Sequence, residues 1–209
     1  MAIHAGNVAL LGGELCLDFA NTIDYRGTDL ARELLVGYPD LVLWGRHVGI
    51  LTDKQPERLL AEATQRPEEA RAILERAVAV RETIYRIFVA IAHRRPPGSE
   101  DLDALNALLS TALSRLRVAS QTGGFAWDWV DGDRALDCML WPIARSAAEL
   151  LTCPELFLVK QCAGCGWLFV DRSRNHNRRW CDMRVCGNRA KVRSYYQRQR
   201  KGDVRNSSG

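Results

Sequence analysis

Long apolar runs are missing from this sequence. The longest near a membrane candidate, Ile87-Phe88-Val89-Ala90-Ile91-Ala92, has six residues, against about 20 for a spanning helix. Residues 1–13 carry no Lys or Arg, so no secretory leader is read there and the expected compartment is the cytoplasm. No internal repeat or low-complexity segment is present. Also missing are a glycine-rich phosphate loop, a nucleophile elbow and a paired-histidine zinc motif. The four histidines, His4, His47, His93 and His176, stand apart. These absences make an enzyme the least favoured reading, with a hydrolase built on Asp18 and a histidine as its one form. Of the 209 residues, 47% are hydrophobic and 26% charged. That balance excludes global disorder, collagen and a disulfide-dense miniprotein, and the length admits one or two domains.

Charge is divided unevenly. From Lys160 onward there are 13 Lys and Arg against three acids, a local charge of +10, while the first 159 residues carry −6. An acidic body with a basic tail suggests that the tail meets a polyanion.

The body reads mainly helical. Glu14–Asp24 and Asp40–Leu51 have helical spacing, with Trp44 directed to the core. Pro67-Glu68-Glu69 suits a helix start. Ile73, Ala77, Val80, Ile84, Ile87 and Ile91 form one apolar face, and Pro96-Pro97-Gly98 stops that helix. Ser99 is expected to cap a second helix with a Leu102, Leu105, Leu109, Leu113 and Leu116 stripe. Val118–Gln121 and Phe125–Trp129 around Thr122-Gly123-Gly124 read as a β-hairpin. A last helix begins near Asp133 and buries Leu136, Leu140, Ile143, Ala147 and Leu150, with Pro142 kinking it or marking its true start. A boundary near Thr152-Cys153-Pro154 divides the chain into residues 1–153 and 154–205. The second part has too few apolar residues to hold a core unaided.

Seven cysteines are present. Cys16, Cys138 and Cys153 lie among apolar residues and read as buried small hydrophobes. The other four are arranged as Cys162-x2-Cys165, 15 intervening residues, then Cys181-x4-Cys186. Two close pairs at this separation suit four-thiolate zinc, tetrahedral and closed to substrate, hence one structural Zn2+. A redox dithiol at Cys162 and Cys165, or a site in which His176 replaces one cysteine, is the alternative. A turn at Ala163-Gly164 and Gly166, a strand at Trp167–Val170 and a helix opening at Cys186-Gly187 give the order of a treble-clef-like finger. The expected fold is thus a mainly α N-terminal domain with a small β-hairpin, followed by that finger.

The helix from Gly187 to about Lys201 carries Asn188, Arg189, Lys191, Arg193, Arg198 and Arg200, and the loop before it carries Arg172, Arg174, Arg178 and Arg179. Guanidinium and ammonium groups bind phosphates, and Asn and Arg also read base edges. Asn188, Arg189, Lys191, Arg193, Arg198, Arg178 and Arg179 are the candidate contacts to duplex DNA, with Asn188 also a helix-start cap and Arg189 also an internal brace. A homodimer would help a single finger cover enough base pairs. RNA is an alternative partner, through stacking on Trp180, Tyr195 and Tyr196, and a protein-contact adaptor is another.

Trp180-Cys181-Asp182-Met183 followed by Cys186-Gly187-Asn188-Arg189-Ala190-Lys191, with Tyr195-Tyr196 downstream, resembles the CGNR zinc finger. Gly12-Gly13-Glu14-Leu15-Cys16-Leu17-Asp18-Phe19-Ala20-Asn21-Thr22 resembles the start of the ABATE domain, which precedes this finger in bacterial proteins. Together the two resemblances span nearly the whole chain. They imply a bacterial, cytoplasmic and stress-responsive transcription regulator, nucleoid-associated when bound to DNA.

Asp18, Asn21, Thr22 and Tyr25 are spaced three and four apart and Arg26 follows, so one helix can project them together. Their mixed chemistry suits a pocket for a small polar ligand; ordinary capping and a solvated face is the plainer alternative. The resemblance favours the pocket, because these residues fall in the recurring N-terminal stretch.

Overall fold

The computed structural model describes residues 2–51, 54–132, 134–193 and 195–196. The chain opens with a short helix, α1 (Leu15–Ala20). Strands β1 (Ile23–Asp24) and β2 (Arg32–Glu33) follow and pair antiparallel, Ile23 opposite Glu33. The expected helix over Glu14–Asp24 therefore ends early. Asn21 closes it, and the next residues are drawn into the β1–β2 ladder.

Helix α2 (Tyr38–His47) starts after Gly37, whose backbone N–H donates to the Asp40 carboxylate. Trp44 is fully buried with its ring centroid 5.1 Å from that of Phe19. Helix α3 (Gln55–Gln65) was not expected from the sequence. Only Pro56 and Leu59 of it are buried, which leaves little periodic signal.

Helix α4 (Pro67–Ala92) has nearly the bounds its apolar spacing predicts. Its buried face includes Ala77, Ile84, Ile87 and Phe88, and also Arg81, only 1% exposed. The Arg81 guanidinium donates to both carboxylate oxygens of Glu33, at 2.6 and 2.7 Å, and to Glu82 at 2.9 Å. A buried cation is tolerated only when paired in this way.

Helix α5 (Ser99–Leu113) differs from expectation in two details. Ser99 lies inside the helix, and extended Gly98 takes the cap position, its carbonyl accepting from Leu102 N–H. The buried stripe is Leu105, Leu108 and Ala112, whereas Leu113 is exposed. Leu116 leaves the helix altogether and starts β3 (Leu116–Gln121), which pairs with β4 (Gly124–Trp129) across Thr122-Gly123. Helix α6 (Leu140–Thr152) places Pro142 in its first turn, so the proline marks the true start. All five residues expected inward before and along it are buried; Asp133 itself lies outside the described residues.

After α6, a 3-10 turn (Leu156–Leu158) leads into β5 (Val159–Gln161), which pairs antiparallel with β6 (Leu168–Val170). A wide turn, Met183–Gly187, closes with Gly187 N–H donating to Asp182 carbonyl. Helix α7 follows over 188–193 and 195–196. Among the described residues, the fold is mainly helical with three small two-stranded antiparallel pairings. One core runs through α1, α4 and α6 and continues into Leu158, Val159, Leu168 and Phe169. Among the described residues, no helix is long and apolar enough to cross a membrane.

Candidate metal centre and nucleic-acid interface

The β5–β6 turn presents the first cysteine pair. Cys162 N–H donates to Trp167 carbonyl at 2.7 Å, and Gly166 N–H donates to Cys162 carbonyl at 3.0 Å. This ties the turn so that Cys162 and Cys165 face one point. Gly166 adopts φ +76°, and a Cβ there would meet the Arg26 carbonyl at 3.0 Å; only glycine permits that approach without strain. The second pair comes from Cys181 and the wide turn holding Cys186. Asp182 fixes that turn by accepting from Arg184 N–H at 2.6 Å.

All four Sγ atoms lie within 4.8 Å of one another, and all four residues are buried. Cys165 and Cys181 are 3.6 Å apart at sulfur, and Cys181 and Cys186 are 3.8 Å apart. A zinc–sulfur bond of about 2.3 Å in tetrahedral geometry sets sulfurs about 3.8 Å apart, so the donor set fits one structural zinc ion. These spacings are far from the disulfide length of about 2.05 Å. Crowding is the electrostatic corollary. Thiol hydrogen bonds from Cys165 and Cys181 hold Cys162 well below the usual thiol range, and the same sharing pushes those two up; burial raises Cys186. A divalent cation removes the conflict by ionising all four together.

His176 is not a ligand. It is exposed, and its Nδ1 sits 2.9 Å from the Asp171 carbonyl oxygen. The loop carrying it is organised around Asp171, which is fully buried. Burial alone would raise this carboxyl, but Ser173 N–H and Oγ and Arg178 N–H donate to it, with Lys160 Nζ 3.2 Å away, and together they hold it well below its ordinary value. Of the scattered cysteines, Cys16 and Cys138 are buried and Cys153 is partly exposed. Burial pushes the Cys16 thiol up to about 12, which leaves it inert.

The basic residues divide into two groups. Arg178 is turned inward: its guanidinium donates to Cys181 carbonyl and lies 4.8 Å from the Phe169 ring centroid. Arg172 pairs with Glu14. In contrast, Arg179, Asn188, Arg189, Lys191 and Arg193 are exposed. Arg179 stacks at 5.1 Å on Trp180. Asn188 Nδ2 donates back to Arg184 carbonyl at 3.0 Å, as a cap does. Arg189 lies 4.9 Å from the Tyr25 ring centroid and lowers the rise that burial imposes on Asp24. Arg198 and Arg200 lie outside the described residues.

The residues expected to form a polar-ligand pocket are not gathered in one. Asp18 Oδ1 accepts from Gly12 N–H at 2.7 Å. Asn21, 1% exposed, clamps β6: its Nδ2 donates to Leu168 carbonyl at 2.9 Å and its Oδ1 accepts from Leu168 N–H at 2.8 Å. Fully buried Thr22 donates to Phe19 carbonyl. Arg26 forms a two-point pair with Glu82 and stacks at 3.9 Å on Tyr85, whose hydroxyl donates to Gly166 carbonyl. A helix of six residues cannot project so many groups to one side, and each finds its own backbone or carboxylate partner. Tyr25 borders a cleft of about 370 Å³ that it shares with Thr28, Leu30, Arg189 and Arg193. Sequence spacing gave no sign of that cleft, because its walls come from the β1–β2 segment and from the finger, far apart in the chain.

Comparison with known proteins finds two family matches. Residues 159–199 match the CGNR zinc finger. Residues 13–154, about two thirds of the chain, match ABATE, a family described as "Putative stress-induced transcription regulator". Both are regulatory or finger types rather than enzyme families. No curated protein matches the chain. The chain belongs to the ABATE family and carries a CGNR zinc finger at its C-terminal end, which makes it a regulatory zinc-finger protein.

Proposed function

We propose that the zinc finger binds duplex DNA and that the helical N-terminal domain governs that binding. One contrast carries the reading. Arg26, Arg66, Arg71, Arg76, Arg81, Arg86, Arg115, Arg117 and Arg145 of the body each pair with a carboxylate, and the body's described arginines without such a pair, Arg32, Arg46, Arg94, Arg95 and Arg134, are scattered along the sequence rather than gathered in one short stretch as in the finger. Among the described residues, Arg179, Arg184, Arg189, Lys191 and Arg193 of the finger make no such pair. Cations left without carboxylates on a metal-braced support suit phosphate contacts, whose affinity comes from released counterions. Asn188 and Arg189 stand at the start of α7, where a helix entering the major groove reads bases.

Purified zinc-loaded protein is expected to select a DNA sequence from a random duplex library and to lose affinity steeply with salt. The R193E variant weakens binding while zinc content stays the same. No binding at about 50 mM salt, where phosphate contacts are strongest, defeats the reading. Preference for single-stranded RNA over duplex DNA transfers it to the exposed Tyr195–Tyr196 pair, whose ring centroids are 5.7 Å apart. For a ligand response, the cleft bounded by Tyr25, Thr28, Arg189 and Arg193 is the favoured place: an anion seated there competes with DNA for both arginines. In a bacterial cell this activity places the protein in the cytoplasm, on the nucleoid.

A further inference from the structure

The β3–β4 hairpin presents a feature that DNA binding leaves unexplained. Its register sets Leu116 opposite Trp129, Val118 opposite Trp127 and Ser120 opposite Phe125. Side chains alternate along a strand, so these six residues share one face of the ribbon. Arg117 and Asp128, ion-paired at 2.7 Å, lie on the other. At the root this face is anchored, with the Trp129 ring 5.9 Å from that of Trp141. Further out it is bare: Val118 is 60% exposed, Trp127 59% and Phe125 79%. Among the described residues, neither β3 nor β4 pairs with any other strand.

We infer that this face is a twofold interface with a second copy of the chain, formed by Val118, Phe125 and Trp127 packing against the same residues. The inference rests on the proposed DNA reading only for its purpose, since two fingers cover a longer site than one.

Charge and area choose the occupant. Beside the exposed stripe, Arg145 lies 5.4 Å from the Trp127 ring centroid and holds Glu149 at 2.7 Å. A rim with one cation and one carboxylate is self-complementary: a twofold axis sets Arg145 of each copy toward Glu149 of the other. A nucleic acid is disfavoured here, because Asp131, Asp128 and Glu149 are ion-paired with Arg115, Arg117 and Arg145, which leaves no unpaired cation among these groups for phosphates. Whole aromatic side chains cover about 150–250 Å². At the exposures above, Phe125 and Trp127 leave roughly 300 Å² open per copy, so roughly 600 Å² is covered across the axis. With Val118 the total is roughly 800 Å², the size of a weak, reversible interface below the ~1,200 Å² of stable ones. Such an area with two aromatic anchors suits a reversible dimer with a Kd on the order of micromolar.

Sedimentation equilibrium of the zinc-loaded protein without DNA, from about 1 to 200 µM, tests this directly. The wild-type mass is expected to climb from 23.5 kDa toward twice that value. The F125S/W127S double variant, altered only at exposed positions, stays at the single-chain mass with unchanged far-UV circular dichroism. Arg117→Ala, on the opposite face, dimerises like wild type. A wild-type chain that remains single at 200 µM overturns the inference, as does a double variant that still dimerises or an Arg117→Ala protein that does not. Because DNA is absent, failure here leaves the finger's DNA binding to its own test, and a dimer that binds no DNA keeps this interface while defeating that function.

Discussion

Replacing Asn21 with alanine separates the structural role of this residue from a ligand-pocket role. The Asn21 amide is the sole side-chain partner of Leu168 N–H and C=O, and both Leu168 and Asn21 lie away from solvent. Alanine leaves that donor and that acceptor buried without partners, at about 1–3 kcal/mol each. The expected loss is therefore roughly 2–6 kcal/mol, a large part of the ~5–15 kcal/mol that holds a typical domain together. Urea denaturation at fixed zinc concentration, followed by tryptophan fluorescence and far-UV circular dichroism, measures it. Asn21→Asp provides an internal check. Its ionised carboxylate still accepts from Leu168 N–H but sets negative charge against the Leu168 carbonyl. Its deficit should shrink as pH falls, because a protonated carboxyl can donate to that carbonyl. A loss below about 0.5 kcal/mol in N21A, the range of an ordinary surface change, would refute the clamp and restore Asn21 to the pocket.

Native protein should contain one zinc per chain, and chelation or the C181S variant should shift Trp167 and Trp180 fluorescence while most helical circular dichroism remains, because most residues of the shared core lie in the helices, away from the two cysteine turns. Metal analysis showing no stoichiometric zinc ends the four-thiolate assignment. Burial raises the Asp18 carboxyl from 3.8 to about 6, so the folded chain keeps this proton longer than the unfolded one. The contribution of Asp18 to stability is then full below about pH 4 and lost as pH rises to about 6. The stability of wild type relative to Asp18→Asn should fall across that window and flatten above it; a difference that rises with pH contradicts the assigned burial.

The elements that showed in the sequence are those whose cause is local. Helix α4 announces itself through Pro67, two acids and a 26-residue apolar period, and the metal centre through cysteine spacing alone. The hairpin follows from Thr122-Gly123-Gly124, since Gly123 at φ +90° is the conformation that turn requires. What stayed hidden has partners far away in the chain. Arg81 reads as one more helix-surface arginine until β2 brings Glu33 over it. Asp18, Asn21 and Thr22 have the spacing of a displayed polar face, yet each is consumed by backbone groups, two of them 147 residues downstream. Leu113 and Leu116 fit a helical stripe by period, but that helix stops at Leu113, and Leu116 joins the strand facing Trp129.

Under the proposed function, these long-range contacts offer a route by which the body would govern the finger. The segment between β1 and β2 is gripped from two sides. On one, Arg26 is held by Glu82 and Tyr85 of α4, and the Tyr85 hydroxyl reaches Gly166 inside the cysteine turn. On the other, Tyr25, in the left-handed region at φ +50°, offers its ring to Arg189 beside the metal ligand Cys186. Trp167 adds a third tie, its indole N–H donating to Ile23 carbonyl at 2.8 Å. The finger is therefore seated on the body partly through this short segment, beside the Asn21 clamp on β6 and the Arg172–Glu14 pair. Moving Tyr25 by a turn's width removes the cation–π contact that orients Arg189 without disturbing any zinc ligand. Coupling by this route would change the presentation of Arg189, a contact in the proposed DNA interface, while the metal stays in place, so a regulated state should differ in DNA affinity and not in zinc content. An effector response that strips zinc in proportion to lost binding is incompatible with that route.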